Sequence, residues 1–136
     1  MIRSKFAISM HILSLLGKHK GEWLSSGKIA DSLNMNSALV RRELSNLCTY
    51  DLIVCKEGKG GGSKLAKPAD NIEISDVMNA VKSVHILGFA KNIPNPQCPI
   101  GRDINYVLHG LYMEIDEHVD NMLSKISLQD FLERFY

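Results

Sequence analysis

The sequence predicts a mainly α-helical chain with a small β-hairpin wing: a winged helix-turn-helix region followed by a long dimerisation helix. Three observations carry this. A short helix opened by Ser25 or Ser26, an Asn34-Met35-Asn36 turn and an amphipathic helix from about Ser37 to Tyr50 follow one another without a gap. A basic, glycine-rich segment, Lys56-Glu57-Gly58-Lys59-Gly60-Gly61-Gly62-Ser63, lies between two short runs suited to strands. A helical apolar pattern then extends from about residue 101 to 124.

Each element has its own reason. Residues 4–16 are apolar nearly all round, as in a helix buried on most faces, and Gly17 and Gly21 are expected to end it. Trp23 and Leu24 suit a short extended piece. The next helix turns Ile29, Ala30 and Leu33 inward, and Ser25 or Ser26 caps it. Asn tolerates turn geometry and also caps helices, so 34–36 feeds the following helix. There Val40, Leu44 and Leu47 form an apolar stripe with Cys48 beside it, while Ala38, Arg41, Arg42, Ser45 and Thr49 fall on the opposite side. Leu52–Cys55 suits a strand. The glycines of 56–63 disfavour regular structure, so Lys64–Lys67 is the expected return strand, stopped by Pro68. Ser75 is expected to cap a helix with Val77, Met78, Ala80 and Val81 inward. Residues 88–100 form a proline-rich loop around Cys98. The long helix, roughly 36 Å at ~1.5 Å per residue, carries Ile104, Val107, Leu108, Leu111, Tyr112, Ile115, Val119, Met122 and Leu123. Ser127 and Asp130 resemble a capping box for a last short helix ending in Phe135-Tyr136.

Composition narrows the function. The chain has 136 residues, 45% hydrophobic and 23% charged, as expected of one globular domain with a real core. Three scattered cysteines, Cys48, Cys55 and Cys98, make no disulfide framework and suggest a reducing, cytoplasmic setting. The first apolar stretch is too short to span a membrane. Net charge is only +1, but residues 1–67 hold eleven basic and five acidic side chains, and residues 68–136 hold five basic and ten acidic. A half at +6 joined to a half at −5 points to a polyanion partner for the first half alone.

Arg41 and Arg42 on the outward face of the second helix can fork onto guanine edges or phosphates, with Ser37 and Ala38 near bases or backbone at its N-terminus. Lys56, Lys59, Lys64 and Lys67 of the hairpin would touch phosphates. A nucleotide-binding phosphate loop fails on spacing, because Leu65 stands where Ser or Thr is required after Lys64. His85, His109 and His118 lack a close zinc spacing with cysteine, and no metal site is expected. Cys48 and Cys55 read as small core residues. No nucleophile–base pair or cofactor motif suggests an enzyme.

The chain resembles the Rrf-two family of bacterial transcription regulators, whose members include an iron–sulfur cluster regulator, a nitric-oxide-sensing repressor and a cysteine-metabolism repressor. The residues that carry the resemblance are Ser4–Ile8, Lys28–Leu33, Asn36–Arg42 with its Val-Arg-Arg triplet, the wing Gly58–Ala66, and Ile74–Val81. Ser63 replaces the family's usual wing aromatic, and Glu57 stands where some members have a minor-groove arginine. The resemblance implies a homodimer that binds double-stranded DNA, a palindromic operator and a repressor's role. Its expected layout is a DNA-binding region over 1–68, a linking helix and sensor loop over 69–100, and a dimerisation helix with a C-terminal helix over 101–136. Cluster-binding members place three cysteines in the loop before the long helix. This loop holds Cys98 alone, so no cofactor and no iron–sulfur cluster is expected. Two alternatives stay open: a redox- or cluster-responsive sensor switching through Cys98, and control by a partner enzyme or small-molecule effector.

Overall fold

The computed structural model describes residues 2–135, with side chains described from Ser4. Among the described residues, six α-helices run α1 (Ile2–Lys18), α2 (Ser26–Leu33), α3 (Ser37–Thr49), α4 (Ile74–Val81), α5 (Pro99–Leu123) and α6 (Leu128–Leu132). Strands β1 (Ile53–Lys56) and β2 (Gly62–Leu65) form an antiparallel hairpin between α3 and α4. The expected architecture, mainly helical with one wing, is what the chain adopts.

Helix α1 runs through the middle of the molecule. Ile12, Leu13 and Leu16 are buried, and they share one core cluster with Ile29 of α2, Val40, Leu44 and Leu47 of α3, and Ile53 of β1. Each such side chain is worth about 1.5–3 kcal/mol relative to exposure, so the α2–α3 pair is held by its apolar stripe rather than by helix propensity. Ile72, Val77, Leu123, Leu128 and Leu132 continue the same core, which ties the C-terminal helices to α1.

Several boundaries differ from expectation, each for a reason of packing. Gly17 does not end α1; it lies inside the helix, where a Cβ would stand 2.6 Å from Leu132 Cδ1, and so gives α6 its close approach. Gly21, at φ +82°, makes the turn instead. The return strand is Gly62–Leu65 rather than Lys64–Lys67, with Cys55 opposite Ser63 and Lys56 opposite Gly62. Leu24 decides this register. It bridges to Ser63 through paired backbone bonds of 3.0 and 2.8 Å, adding the expected extended piece to the hairpin's edge. Gly62 lies so near that backbone that a Cβ would fall 2.4 Å from Leu24 O.

Glu73, not Ser75, caps α4, in a reciprocal box with Asp76; Ser75 lies buried inside the helix. The loop before α5 covers residues 82–98, and Pro99 already occupies its first turn. Cys55 is exposed and Cys48 half-buried, so Cys55 is not a core residue. The Ser127–Asp130 box caps α6 as expected. Tyr136, placed at its end by the sequence, lies outside the described residues.

Candidate nucleic-acid interface

The geometry of the helix pair follows from its caps. Ser25 Oγ accepts the Lys28 N–H at 3.2 Å and opens α2. Asn34 ends it at φ +53°, a left-handed conformation that Asn tolerates. Asn36 Oδ1 then accepts the Ala38 N–H at 2.7 Å and opens α3. Two caps within three residues leave the N-terminal turns of α3 projecting from the body.

Those turns carry the polar face. Ala38, Arg41 and Arg42 are exposed and Ser37 is half-buried. Among the described residues neither arginine enters an ion pair, so both guanidinium groups keep their donors. The positive end of the helix dipole and two exposed arginines without an ion pair suit an anionic, acceptor-rich surface.

The wing stands beside α3. Its tip is a turn in which Gly58 and Gly60 take φ +88° and +79° and the Gly61 N–H donates to Gly58 O at 3.1 Å. Lys59 is exposed at that tip. Lys56 and Lys64 extend across the Trp23 ring, 5.7 and 4.6 Å from its centroid. Trp23 thus holds two cations above one face of the wing, which restricts their rotamers without neutralising them. The sequence singled out the lysines but not this platform, since nothing local in it says that residue 23 lies beside residues 56 and 64. Lys67 is exposed beyond the hairpin.

A cleft of about 560 Å³ separates α3 from the wing. Arg41, Ser45 and Cys48 line one wall, and Cys55, Lys56, Gly58 and Ser63 line the other. The Cys55 thiol lies 3.4 Å from Ser63 Oγ, with the Cys48 thiol as its other neighbour. Burial, foremost, pushes Cys55 above the ordinary thiol range, and Cys48 adds to that while the Ser63 hydroxyl opposes it.

Cys98 sits apart, at the start of α5. It is exposed, and its Sγ caps the helix by accepting the Gly101 N–H at 3.5 Å. Arg102, one of the cations near it in sequence, forks onto Asp103 at 3.1 and 3.2 Å. The fold draws neither of the other cysteines to this loop; both lie at the α3–wing cleft.

The loop itself is pinned to α5 by a cluster that the sequence did not reveal. His85 Nδ1 donates to Asp116 at 2.6 Å, the Ile86 N–H donates to the same carboxylate at 3.1 Å, and His85 Nε2 lies 3.0 Å from His109 Nδ1. Tyr112 donates its hydroxyl to Gly88 O at 2.7 Å. Burial pushes the Asp116 carboxyl upward, but the His85 and Ile86 hydrogen bonds and the charges of His85 and Lys82 outweigh it. The group is held below the ordinary carboxylate range.

No helix among the described residues is long and apolar enough to cross a membrane. Residues 2–134 match the model of the Rrf2 family, described as iron-dependent transcriptional regulators. The chain is 35% identical, over 136 residues and the whole of both chains, to YwnA of Bacillus subtilis, assigned as a helix-turn-helix-type transcriptional regulator. Among solved structures it is similar to a protein described as DNA-binding, at 31% identity and a TM-score of 0.72, over 94% of this chain and 98% of that one. It shares its fold with CymR, the global cysteine regulator of B. subtilis, at 19% identity and a TM-score of 0.70, over 97% and 95% of the two chains. A helix-turn-helix with an exposed arginine pair, a basic wing beside it and this agreement from end to end lead to one conclusion: the chain belongs to the Rrf2 family of DNA-binding transcriptional regulators.

Proposed function

We propose that the chain is a sequence-specific repressor that binds a palindromic operator as a homodimer. The observation that carries this reading is the pair of exposed, unpaired arginines on the first turns of α3, with the wing alongside. Arg41 and Arg42 read bases in the major groove, and Ser37 and Ala38 approach the backbone where the helix enters. Lys59 follows the phosphates from the wing tip, and Lys56 and Lys64 do so from above Trp23. Residues 1–68 do the reading, 69–100 connect, and 101–136 associate.

The second copy is inferred from α5. Ile100, Val107, Leu111 and Met122 recur at helical spacing along it and are 72%, 61%, 48% and 58% exposed. Only Tyr112 and Leu123 of the helix are buried against its own domain. A helix of 25 residues that leaves one apolar stripe in water is suited to packing on its twin about a two-fold axis. Helix-turn-helix dimers of this kind meet half-sites about 34–36 Å apart, one turn of duplex, and the two-fold axis makes the operator palindromic. Occupancy of such a site suffices for repression.

The family's description names iron, but the thiols here do not assemble for a cluster. Cys98 is engaged as a helix cap, and Cys48 and Cys55 face a different cleft. The chain is therefore proposed to work without one.

The test is capture and sequencing of the genomic DNA bound by the protein, followed by titration on the recovered sequence. An inverted repeat with half-sites one turn apart supports the reading. Enrichment without a repeat, or affinity independent of salt, refutes it, since phosphate contacts release counterions.

A further inference from the structure

The cleft between α3 and the wing contains the two thiols that the reading above does not use. Cys48 comes from the last turn of α3 and Cys55 from β1, so they belong to the two elements that would grip DNA. They are neighbours there, and the Ser63 hydroxyl, buried on β2, is 3.4 Å from Cys55. The cleft is open to solvent at Cys55, which is exposed. Among the described residues no third histidine, cysteine or acidic group joins them to make a metal cage. A partner for this pair must therefore be satisfied by two sulfurs.

We propose that Cys48 and Cys55 form a dithiol site for a soft, thiophilic acceptor of the trivalent arsenical class, whose occupancy weakens DNA binding. Soft thiolate ligands select soft acceptors over magnesium or calcium. The chemistry closes without an oxidant. An arsenoxide, R–As=O, exchanges its oxygen for two As–S bonds; both thiol protons leave with that oxygen as one molecule of water. Arsenic stays trivalent, and both sulfurs stay at the thiol oxidation level. Peroxide sensing suits the pair less well, because it is favoured by a thiol held below the ordinary range, and Cys55 is shifted the other way. The adduct would join α3 to β1 across the cleft. It would fix the distance between recognition helix and wing and leave its substituent in the cleft that Arg41 and Gly58 also line.

The consequence for DNA rests on the interface proposed above; capture itself does not. The probe is phenylarsine oxide, added in equimolar amount to the full-length reduced protein. Native mass spectrometry and thiol titration should show one arsenical bound and one thiol left, on Cys98. Cys98→Ser should still capture the probe. Cys55→Ser should not, and Cys48→Ala gives a second, independent removal of the pair. Retained capture by either pair variant, or loss of capture in Cys98→Ser, overturns the site. In the wild type, duplex affinity should fall about tenfold on capture, within the usual range of coupling between two sites, and Cys55→Ser should be indifferent to the probe. Capture with unchanged affinity refutes the switch. Absence of duplex binding before any probe is added refutes the DNA reading instead.

Discussion

Arg41→Ala and Arg42→Ala should separate base reading from phosphate binding. Both side chains are exposed and make no ion pair among the described residues. Their loss should change stability by no more than about 0.5 kcal/mol, as at other surface positions. A good bidentate base contact discriminates by about 1–3 kcal/mol. A homodimer carries each change twice, so the low end of that range already predicts about a 30-fold loss on the full operator. Random duplex should lose much less. Lys59→Ala is the contrast. At the exposed wing tip it reaches backbone, so cognate and random DNA should weaken together. The slope of log affinity against log salt should become shallower by about 0.9 per lost contact, about 1.8 for the dimer. The assay is a titration of each variant against operator and random duplex at several salt concentrations, with thermal unfolding as the fold control. Arginine variants that keep the full cognate-to-random ratio would remove α3 as the reading element. A Lys59 variant that loses specificity rather than salt dependence would remove the wing as a backbone contact.

Three further outcomes are expected. Gly62→Ala should destabilise by more than about 1 kcal/mol, since it pairs positive φ with backbone conflict, its Cβ falling 2.4 Å from Leu24 O. Gly58→Ala, with open space around it, should cost less in the same urea titration. Leu111→Glu puts a charge into the exposed stripe of α5 and should turn the dimer into monomers in sedimentation; a dimer that persists would place the interface elsewhere. Asp116 is held below the ordinary carboxylate range, so it contributes stability at pH values above that range, and the contribution is lost as pH falls through the lowered value. The difference in Tm between wild type and Asp116→Asn should therefore be full above about pH 5 and shrink once the pH drops below the usual Asp value of about 3.9. A difference that stays constant into acid would show that the His85–Asp116 contact does not depend on the carboxylate's charge.

The amino-acid order by itself determined the elements whose causes are local. Asn34 and Asn36 place a turn and a cap within three residues, and Val40, Leu44 and Leu47 then orient α3 so that Arg41 and Arg42 must face outward. The Ser127–Asp130 box and the long stripe of α5 were legible for the same reason, since cap and periodicity act within a few residues of themselves. What depends on residues far apart in the chain had no such signal. The hairpin register was set by Leu24, almost forty positions before Ser63. Gly17 reads as a helix stop, yet α6 needs the space left by its missing side chain. Trp23 under Lys56 and Lys64, His85 against Asp116, and Cys48 beside Cys55 are meetings that only the packed core brings about. Periodicity fixes which way a side chain points from its own element. Only burial against other elements fixes what it meets, and the chemistry of this protein's cleft lies in those meetings.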